Sequence, residues 1–532
     1  MDGFTNDWAE IPLVWINKLK SATMYIWIFP VVAGVILYVY RAFCVYVNRK
    51  RRPSITKGQL CTHDTLPRAN RWPLGLDLLM LTLKASDELR LMEFFLDNFR
   101  RFGNTFRQVI GTNTSILTNE PANIEALLLS NMKDWGLGFR RTIFFPLLGE
   151  GIFLQESDAW KHSRDILRPH FYHRHYENLD IYRPHVDNLV DAIATDAPGI
   201  VDLEPLFFRL TLDVTTEFLF SESVWSQRPN SSAVKNDFED AFDLAQGISA
   251  KRLKFQKLYW LVGTKELRKA CGLIHGFVDR VIGKTLDGGT DEAECSSRPP
   301  FLKTLAQNYS RREALRGQAV NVLVAGRDTT STFLSWVFYH LLRHPDVMAK
   351  LRAEIADIDE TVAPLTRADL LRLTYLQNIT KEVLRLHPSI PLISRTALRD
   401  TTLPTGGGPD GKSPILVPKG MSVLYSAYCI HRRPDLYGLD AEMFRPERWD
   451  EEPLRSRDKR WTYLAFGGGP RTCIGMDFSL TNGAYALVRI LQRFPTMKLP
   501  PGETVCVAGQ ERQIVTISLR PADGCRVDLS KE

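Results

Sequence analysis

The chain has 532 residues, 44% hydrophobic and 24% charged, which is ordinary globular composition and long enough to bury a large core around a cofactor. Its 68 basic against 61 acidic residues leave +7, modest and partly gathered near the N-terminus, so a nucleic-acid partner has no support. Eight cysteines (44, 61, 271, 295, 429, 473, 506 and 525) show no CxxC or other metal-type spacing, which argues against a disulfide framework or a zinc site and fits a reducing compartment.

Residues Ala22 to Tyr40 carry no charge. At about 1.5 Å per residue this stretch reaches roughly 28 Å, close to the hydrocarbon thickness of a bilayer. Arg41 can snorkel at the helix end while Ala42 to Val47 continue the apolar run, and Tyr25, Trp27, Tyr38 and Tyr40 sit where interfacial anchors sit. A signal peptide would be shorter and would end in a small-residue cleavage site, which does not appear before Arg41. Arg41, Arg49, Lys50, Arg51 and Arg52 follow the stretch, whereas Lys18 and Lys20 before it are offset by Asp2, Asp7 and Glu10. The positive-inside rule therefore puts the C-terminal side in the cytoplasm. The expected layout is a short luminal N-terminus (1–21), a single transmembrane helix (22–47), a basic linker (48–66) and a cytosolic domain (67–532). The basic cluster also suits anionic membrane lipid.

Beyond Leu74, apolar positions three and four apart predict helices over 120–133, 157–173, 233–262, 311–343 and 367–387, with another apolar helical stretch from Phe478 to Phe494. Short β-like runs occupy Thr105–Leu117, Ile415–Val423 and Gln513–Leu519. Asp287–Pro300 and Thr401–Pro414 read as surface loops, rich in Gly, Pro, Asp and Ser. The fold class expected is mainly α with small β-sheets. There is no internal repeat and no Gly-rich strand-to-helix fingerprint for a nicotinamide or flavin.

Four constellations lie along these elements. Trp160 and Arg164 share one helix face, offering an indole donor and a guanidinium to an anion. Mid-way along the 311–343 helix stands Ala325-Gly326-Arg327-Asp328-Thr329-Thr330, where poor helix formers interrupt an apolar helix as functional sites do. Glu382 and Arg385 stand three apart on a helix, and Phe444-Arg445-Pro446-Glu447-Arg448-Trp449 follows about sixty residues later. Finally, Phe466-Gly-Gly-Gly-Pro-Arg-Thr-Cys-Ile-Gly475 delivers one thiol, Cys473, just before an apolar helix. Its glycines allow close approach of the backbone, and the helix N-terminus favours thiolate over thiol.

In this order, over roughly residues 100 to 500, the motifs resemble the cytochrome P450 family. Its cysteine-loop pattern, Phe-x-x-Gly-x-Arg-x-Cys-x-Gly, is matched at every defined position by Phe466, Gly469, Arg471, Cys473 and Gly475. The resemblance implies haem b with Cys473 as axial iron ligand and Phe466 in the cofactor loop. Trp160, Arg164, Arg395 and Arg471 are then the candidates for the haem propionates, with His162 a further one. Gly326 would make room for oxygen, Thr329 would organise a protonation network and Asp328 would feed protons to it. Glu382, Arg385 and Arg448 would form a structural lock beneath the haem.

The implied activity is a monooxygenase using O2 and two electrons from NADPH. With no reductase module in the chain, these would come through a membrane-bound cytochrome P450 reductase, and the endoplasmic reticulum is the expected location. Arg455, Arg457, Lys459 and Arg460 are candidate docking cations. Haem-thiolate isomerases and dehydratases, which need neither O2 nor reductase, usually lose the acid–threonine pair that is intact here. The chain is similar to the fungal microsomal group that hydroxylates alkanes and fatty acids. It departs from that group after the cysteine loop, where Met476 to Asn482 replaces the usual Gln-Gln-Phe-Ala. Phe139, Phe144, Phe145 and Leu147, then Ile390, Leu392 and Ile393, are the expected pocket walls. They suit a fatty acid or alkane and the body of a fungal secondary metabolite (polyketide or terpenoid) equally. Arg327 is placed either to pair with a carboxylate or to face outward.

Overall fold

The computed structural model describes residues 34, 38, 40, 61–228, 233–287, 301–358, 363–452, 454, 460–503 and 509–530. The predicted anchor and basic linker lie almost wholly outside them. Gly34, Tyr38 and Tyr40 are helical, and among the described residues no helix is long and apolar enough to cross a membrane. Asp287 apart, the predicted loop to Pro300 lies outside as well, as do Arg455, Arg457 and Lys459. Met1–Gln59 forms one compact unit and Leu60–Glu532 another, larger one.

The larger unit begins with β1 (Cys61–Thr62), α1 (Leu76–Asp87) and α2 (Leu91–Phe102). The first β-like run is a hairpin, β2 (Thr105–Ile110) and β3 (Asn113–Thr118), turned at Gly111 with φ +61°. The 120–133 pattern breaks into Pro121–Glu125 and two short irregular turns before β4 (Trp135–Gly136) and α3 (Phe139–Leu148). Next come α4 (Ser157–Leu167), α5 (Arg183–Asp196), β5 (Ile200–Asp202), α6 (Leu203–Phe220), α7 (Ala233–Phe255), α8 (Thr264–Asp287) and α9 (Phe301–Asn308). Helix α10 spans Arg312–Arg343, as predicted, and α11 (Pro345–Ile355) follows. The 367–387 pattern divides at Leu373. Arg367–Arg372 is closed by a Thr366/Asp369 capping box, and α12 (Thr374–Leu386) starts afresh.

Strands β6 (Leu392–Ala397), β7 (Thr401–Gly407), β8 (Ser413–Val417) and β9 (Ser422–Ser426) lead to the long α13 (Met476–Arg493). The closing strands are β10 (Gln513–Val515), β11 (Leu519–Pro521) and β12 (Arg526–Asp528). The main sheet runs β2-β3-β9-β6-β4, and a three-stranded sheet runs β1-β8-β7. Thr401–Pro414 is therefore a strand and turn, not a loop. Its glycines serve an irregular ladder between Leu403 and Gly407, where Gly406 has φ +111°. The run Ile415–Val423 likewise contributes to two different sheets, with the turn at Gly420 between them.

Helix α10 runs through the largest core: from Leu315 to Leu342 it is buried nearly all round, so it lacks the polar face of a surface helix. Helix α6, buried on most sides, packs along it. Helices α12 and α13 and the closing hairpin pack on its other side, with Trp336 Nε1 donating to the Leu519 carbonyl at 3.0 Å.

Glu382, Arg385 and Arg448 are no more than 1% exposed. Arg385 grips Glu382 with two N–H groups, at 2.9 and 2.7 Å, and Arg448 Nε reaches it at 3.2 Å. The Trp449 indole and the Arg445 backbone N–H, both at 3.1 Å, fill the remaining acceptor positions. The arginines also cap loop carbonyls: Arg385 takes His431 O and Met443 O, and Arg448 takes Tyr437 O and Asp440 O. One buried carboxylate thus holds α12 to the segment before the cysteine loop.

His431 extends this network. Its Nδ1 faces the Arg385 carbonyl at 2.9 Å and so donates, leaving Nε2 to accept the Leu464 N–H at 2.7 Å. Burial holds its pKa down to about 3, and burial also pushes His340 and His387 well below the usual range. The His387 ring is stacked on Trp336 at 3.7 Å with neither nitrogen hydrogen-bonded. A histidine whose folded pKa is depressed contributes stability above its unfolded pKa, near 6.5, and loses it as pH falls toward the folded value. Lowering pH from 7 to 5 is therefore expected to remove about 2 kcal/mol at His431, with His340 and His387 shifting stability in the same direction. Urea midpoints measured at both pH values check this.

Candidate active site

The cysteine loop is held before any cofactor is considered. Gly467 and Gly469 have φ of +74° and +66°, which side chains disfavour. A Cβ on Gly469 would lie 2.4 Å from the Leu128 carbonyl oxygen, and one on Gly468 2.8 Å from the Trp461 ring, so these two glycines seat the loop on its own scaffold. Gly467 alone has open space where a Cβ would stand. The Cys473 N–H donates to the Phe466 carbonyl at 3.0 Å, closing the loop just ahead of α13.

Cys473 is exposed, yet burial is the main influence on its thiol and pushes the pKa up; its surface opens onto an enclosed space, not bulk water. A hydrogen bond from the Gly475 N–H and the charge of Arg164 act in the opposite direction. The expectation that the loop alone favours thiolate is thus outweighed by desolvation. A thiolate here calls for a cation bound directly to the sulfur.

Cations gather beside the thiol and outnumber the acids near them, Glu156 being the carboxylate whose charge acts on both Arg140 and Arg471. Trp160 is buried in α4, with the Arg471 guanidinium 4.4 Å and that of Arg164 5.7 Å from its ring. Arg471 donates to the Gln155 carbonyl at 3.0 Å. Burial, with Arg395 and Arg164 nearby, pulls its pKa to about 10. Arg395, half-buried on β6, has the neighbouring Ser394 carbonyl as its one acceptor among the described residues. Sequence reasoning missed one member, Arg140 at the start of α3. Burial and the charges of Arg395 and Arg471 pull its pKa to about 9. Among the described residues no salt bridge joins Arg140, Arg164, Arg395 or Arg471 to a carboxylate. Mutually repelling guanidiniums next to an enclosed thiol demand an anionic ligand. His162 is exposed and edge-on to Tyr309 at 6.0 Å, outside the cluster.

On α10 the described side chains from Gly317 to Leu342 are buried, except a half-open stripe at Ala325, Gly326 and Thr329. A Cβ on Gly326 would fall 2.5 Å from Thr215 Oγ1, so packing of α6 against α10 accounts for the glycine; the expected role of making room for oxygen gains no support from this contact. Thr329 Oγ1 donates to the Ala325 carbonyl at 2.7 Å, and Ser389 Oγ binds the Thr329 carbonyl at 3.0 Å. Ser389 thus ties the segment entering β6 to this stripe. Ile390 next to it is half-buried, whereas Leu392 and Ile393 alternate along β6, Leu392 packing toward α2 and the β2–β3 hairpin and Ile393 toward the core under the main sheet. Of the other expected walls, Phe139 is half-buried, Phe145 is largely exposed, and Phe144 and Leu147 sit in the core. Arg327 does not face outward: it is 2% exposed and paired with Asp243 at 3.1 Å and Asp328 at 3.0 Å. Burial raises the pKa of Asp328, Arg327 opposing it.

A flat cofactor with anionic arms on one edge and a thiolate-binding metal meets both demands of this cleft, and haem has both. The cleft is thus that of a haem-thiolate protein. Residues 68–521 match the model of the family described as Cytochrome P450. The chain is 38% identical over 473 residues to a cytochrome P450 of Arthroderma benhamiae, covering 87% of this chain and 90% of the relative. It is 41% identical over 411 residues to cytochrome P450 52A5 of Candida maltosa (75% and 78%) and 38% identical over 502 residues to cytochrome P450 monooxygenase g430 of a Fusarium species (87% and 86%). The chain belongs to the cytochrome P450 family; haem iron is its cofactor and monooxygenation its class of reaction.

Arg140→Ala is expected to act in opposite directions on the two forms of the protein. Losing one charge-assisted bond should weaken haem retention about tenfold, while relief of repulsion should raise the melting temperature of haem-free protein. Haem transfer to apomyoglobin and thermal unfolding of the apoprotein measure the two effects.

Proposed function

We propose that this protein is a single-pass membrane P450 of the endoplasmic reticulum, its catalytic domain cytosolic. It takes electrons from NADPH through a separate cytochrome P450 reductase and hydroxylates an aliphatic chain, a fatty acid or alkane. Haem, when bound, supplies the iron at which O2 is activated. Cys473 would hold that iron through its sulfur. Arg140, Arg164, Arg395, Arg471 and the Trp160 indole hold the propionate edge, and Phe466 lines the cofactor loop. Thr329 positions a hydroxyl on the open stripe of α10, and buried Asp328 holds and passes a proton to it. Phe139 and Ile390 exclude water and orient an apolar chain against that stripe.

The observation that carries this reading is the half-open Ala325, Gly326 and Thr329 stripe in an otherwise buried helix, to which the Ser389–Thr329 bond ties the apolar segment entering β6. A second reading, tailoring of a polyketide or terpenoid, rests on the departure from the alkane group at Met476 to Asn482. In that stretch Asp477 is pinned by Arg367 (2.8 and 2.7 Å) and Tyr176 (2.7 Å), and Ser479 bonds Thr330 at 2.8 Å.

Microsomes carrying the protein and a reductase test the choice. Fatty acids from short to long chain should displace the distal water, seen as a low- to high-spin change in the haem spectrum, and be hydroxylated in an NADPH-dependent reaction. No response to any chain length removes the lipid reading, and a response to terpenoid or polyketide bodies alone establishes the second.

A further inference from the structure

We propose that Asp243, on α7, is a positioning residue for the oxygenase reaction: it competes with Asp328 for the guanidinium of Arg327 and so sets how readily Asp328 takes up and releases a proton beside Thr329.

One nitrogen of Arg327, Nη1, stands between the two acids, 3.1 Å from Asp243 Oδ1 and 3.0 Å from Asp328 Oδ1. The guanidinium is caged. Its carbon lies 4.7 Å from the Phe208 ring on α6 and 4.9 Å from the Phe242 ring on α7, and Thr211 of α6 holds the Arg327 carbonyl at 2.8 Å. A cation that cannot swing into solvent must divide its attraction between the carboxylates it already touches. The two acids differ in setting: the Asp328 side chain is 4% exposed, that of Asp243 56%. The pair is therefore a link from solution to a buried acid, made where Asp243 and Phe242 of α7 meet Arg327 of α10.

The surroundings support such a balance. Gln246, one turn beyond Asp243 on α7, donates to Asp328, and Glu239, one turn before it, is held partly buried near Arg327 and Arg209. Asp213 on α6 is already occupied by Ser226 and Gln227. Asp328 is thus held as an anion by Arg327 and Gln246 and pushed toward its neutral form by burial and by the charge of Asp243. A clamped carboxylate is a poor proton carrier; an acid working by transfer needs a proton affinity near the working pH. Asp243 supplies that adjustment by drawing on Arg327. A proton from water then neutralises Asp328, passes toward the Thr329 hydroxyl, and leaves the carboxylate to be recharged from solvent. These side chains move no electron.

A merely structural ion pair this exposed would contribute little stability and would leave the titration of Asp328 where it was. The test is infrared difference titration of the haem-loaded full chain, with the carboxylic-acid band of Asp328 assigned by its loss in Asp328→Asn. In Asp243→Asn the midpoint of that band should fall by about one pH unit, because Arg327 then serves Asp328 alone. Asp243→Glu should restore it. An unchanged midpoint in Asp243→Asn overturns the proposal whatever happens to stability, as does an Asp328 that takes no proton anywhere in the pH range where the protein stays folded.

Discussion

Glu382→Ala is expected to yield little or no folded, haem-retaining protein. The substitution leaves Arg385 and Arg448 almost fully buried with their shared carboxylate gone, and the Trp449 indole and Arg445 N–H without their acceptor. Removing one partner of a buried ion pair costs about 3–5 kcal/mol, a large share of the roughly 5–15 kcal/mol that holds a typical domain. Arg448 has further partners in Asp440 and the Tyr437 carbonyl, so the loss falls hardest on Arg385, which has no second carboxylate partner among the described residues. Soluble yield, haem content and the urea midpoint of any recovered protein measure the effect. Arg448→Lys, which keeps the charge but not the fork that reaches Glu382, Tyr437 and Asp440 together, should fall between wild type and Glu382→Ala. A Glu382→Ala protein with unchanged midpoint and haem content would show that the lock holds nothing.

The second large effect is expected at Cys473. Its loop is fixed by contacts that do not use the thiol: the Leu128 and Trp461 packing of Gly469 and Gly468, the Phe466 carbonyl, and the Arg471–Trp160 stack. Cys473→Ala should therefore fold, with circular dichroism like wild type, and keep some haem through the arginine cluster. It should lose monooxygenase activity entirely, since no other described cysteine is an alternative ligand. Cys271, Cys429 and Cys525 are buried, and Cys61 stands on β1 against β8.

Much of this site is legible in the sequence because its parts are local. The cysteine loop, the acid–threonine pair and Glu382/Arg385 each lie within ten residues, and a helix or a tight loop converts such spacing directly into proximity. What crosses between elements is harder to read. Arg140 has no motif of its own; only the fold shows that it meets Arg395 and Arg471, although the glycines at 136 and 138 just before it hint at a special backbone. Arg327 could be read either way, because the partner that completes its pairing, Asp243, lies 84 positions earlier on a different helix. Gly326 shows how a neighbouring helix adds a second reading that the motif alone does not carry. A glycine in a functional motif invites a ligand-centred explanation, while Thr215 of the neighbouring helix accounts for it by packing. The β7 strand was hidden by the Gly and Pro content that its irregular pairing with β8 requires. The helices α5, α6 and α8 carry no site motif, and α6 is too evenly buried to show a clear polar face.

Cys473 as the ligand of haem iron is the central assignment, and the carbon monoxide difference spectrum of the reduced protein tests it most directly. Wild type should show the red-shifted band of a thiolate-ligated haem. Cys473→Ala, with haem still bound, should lack it. An undiminished red-shifted band in Cys473→Ala would contradict the assignment.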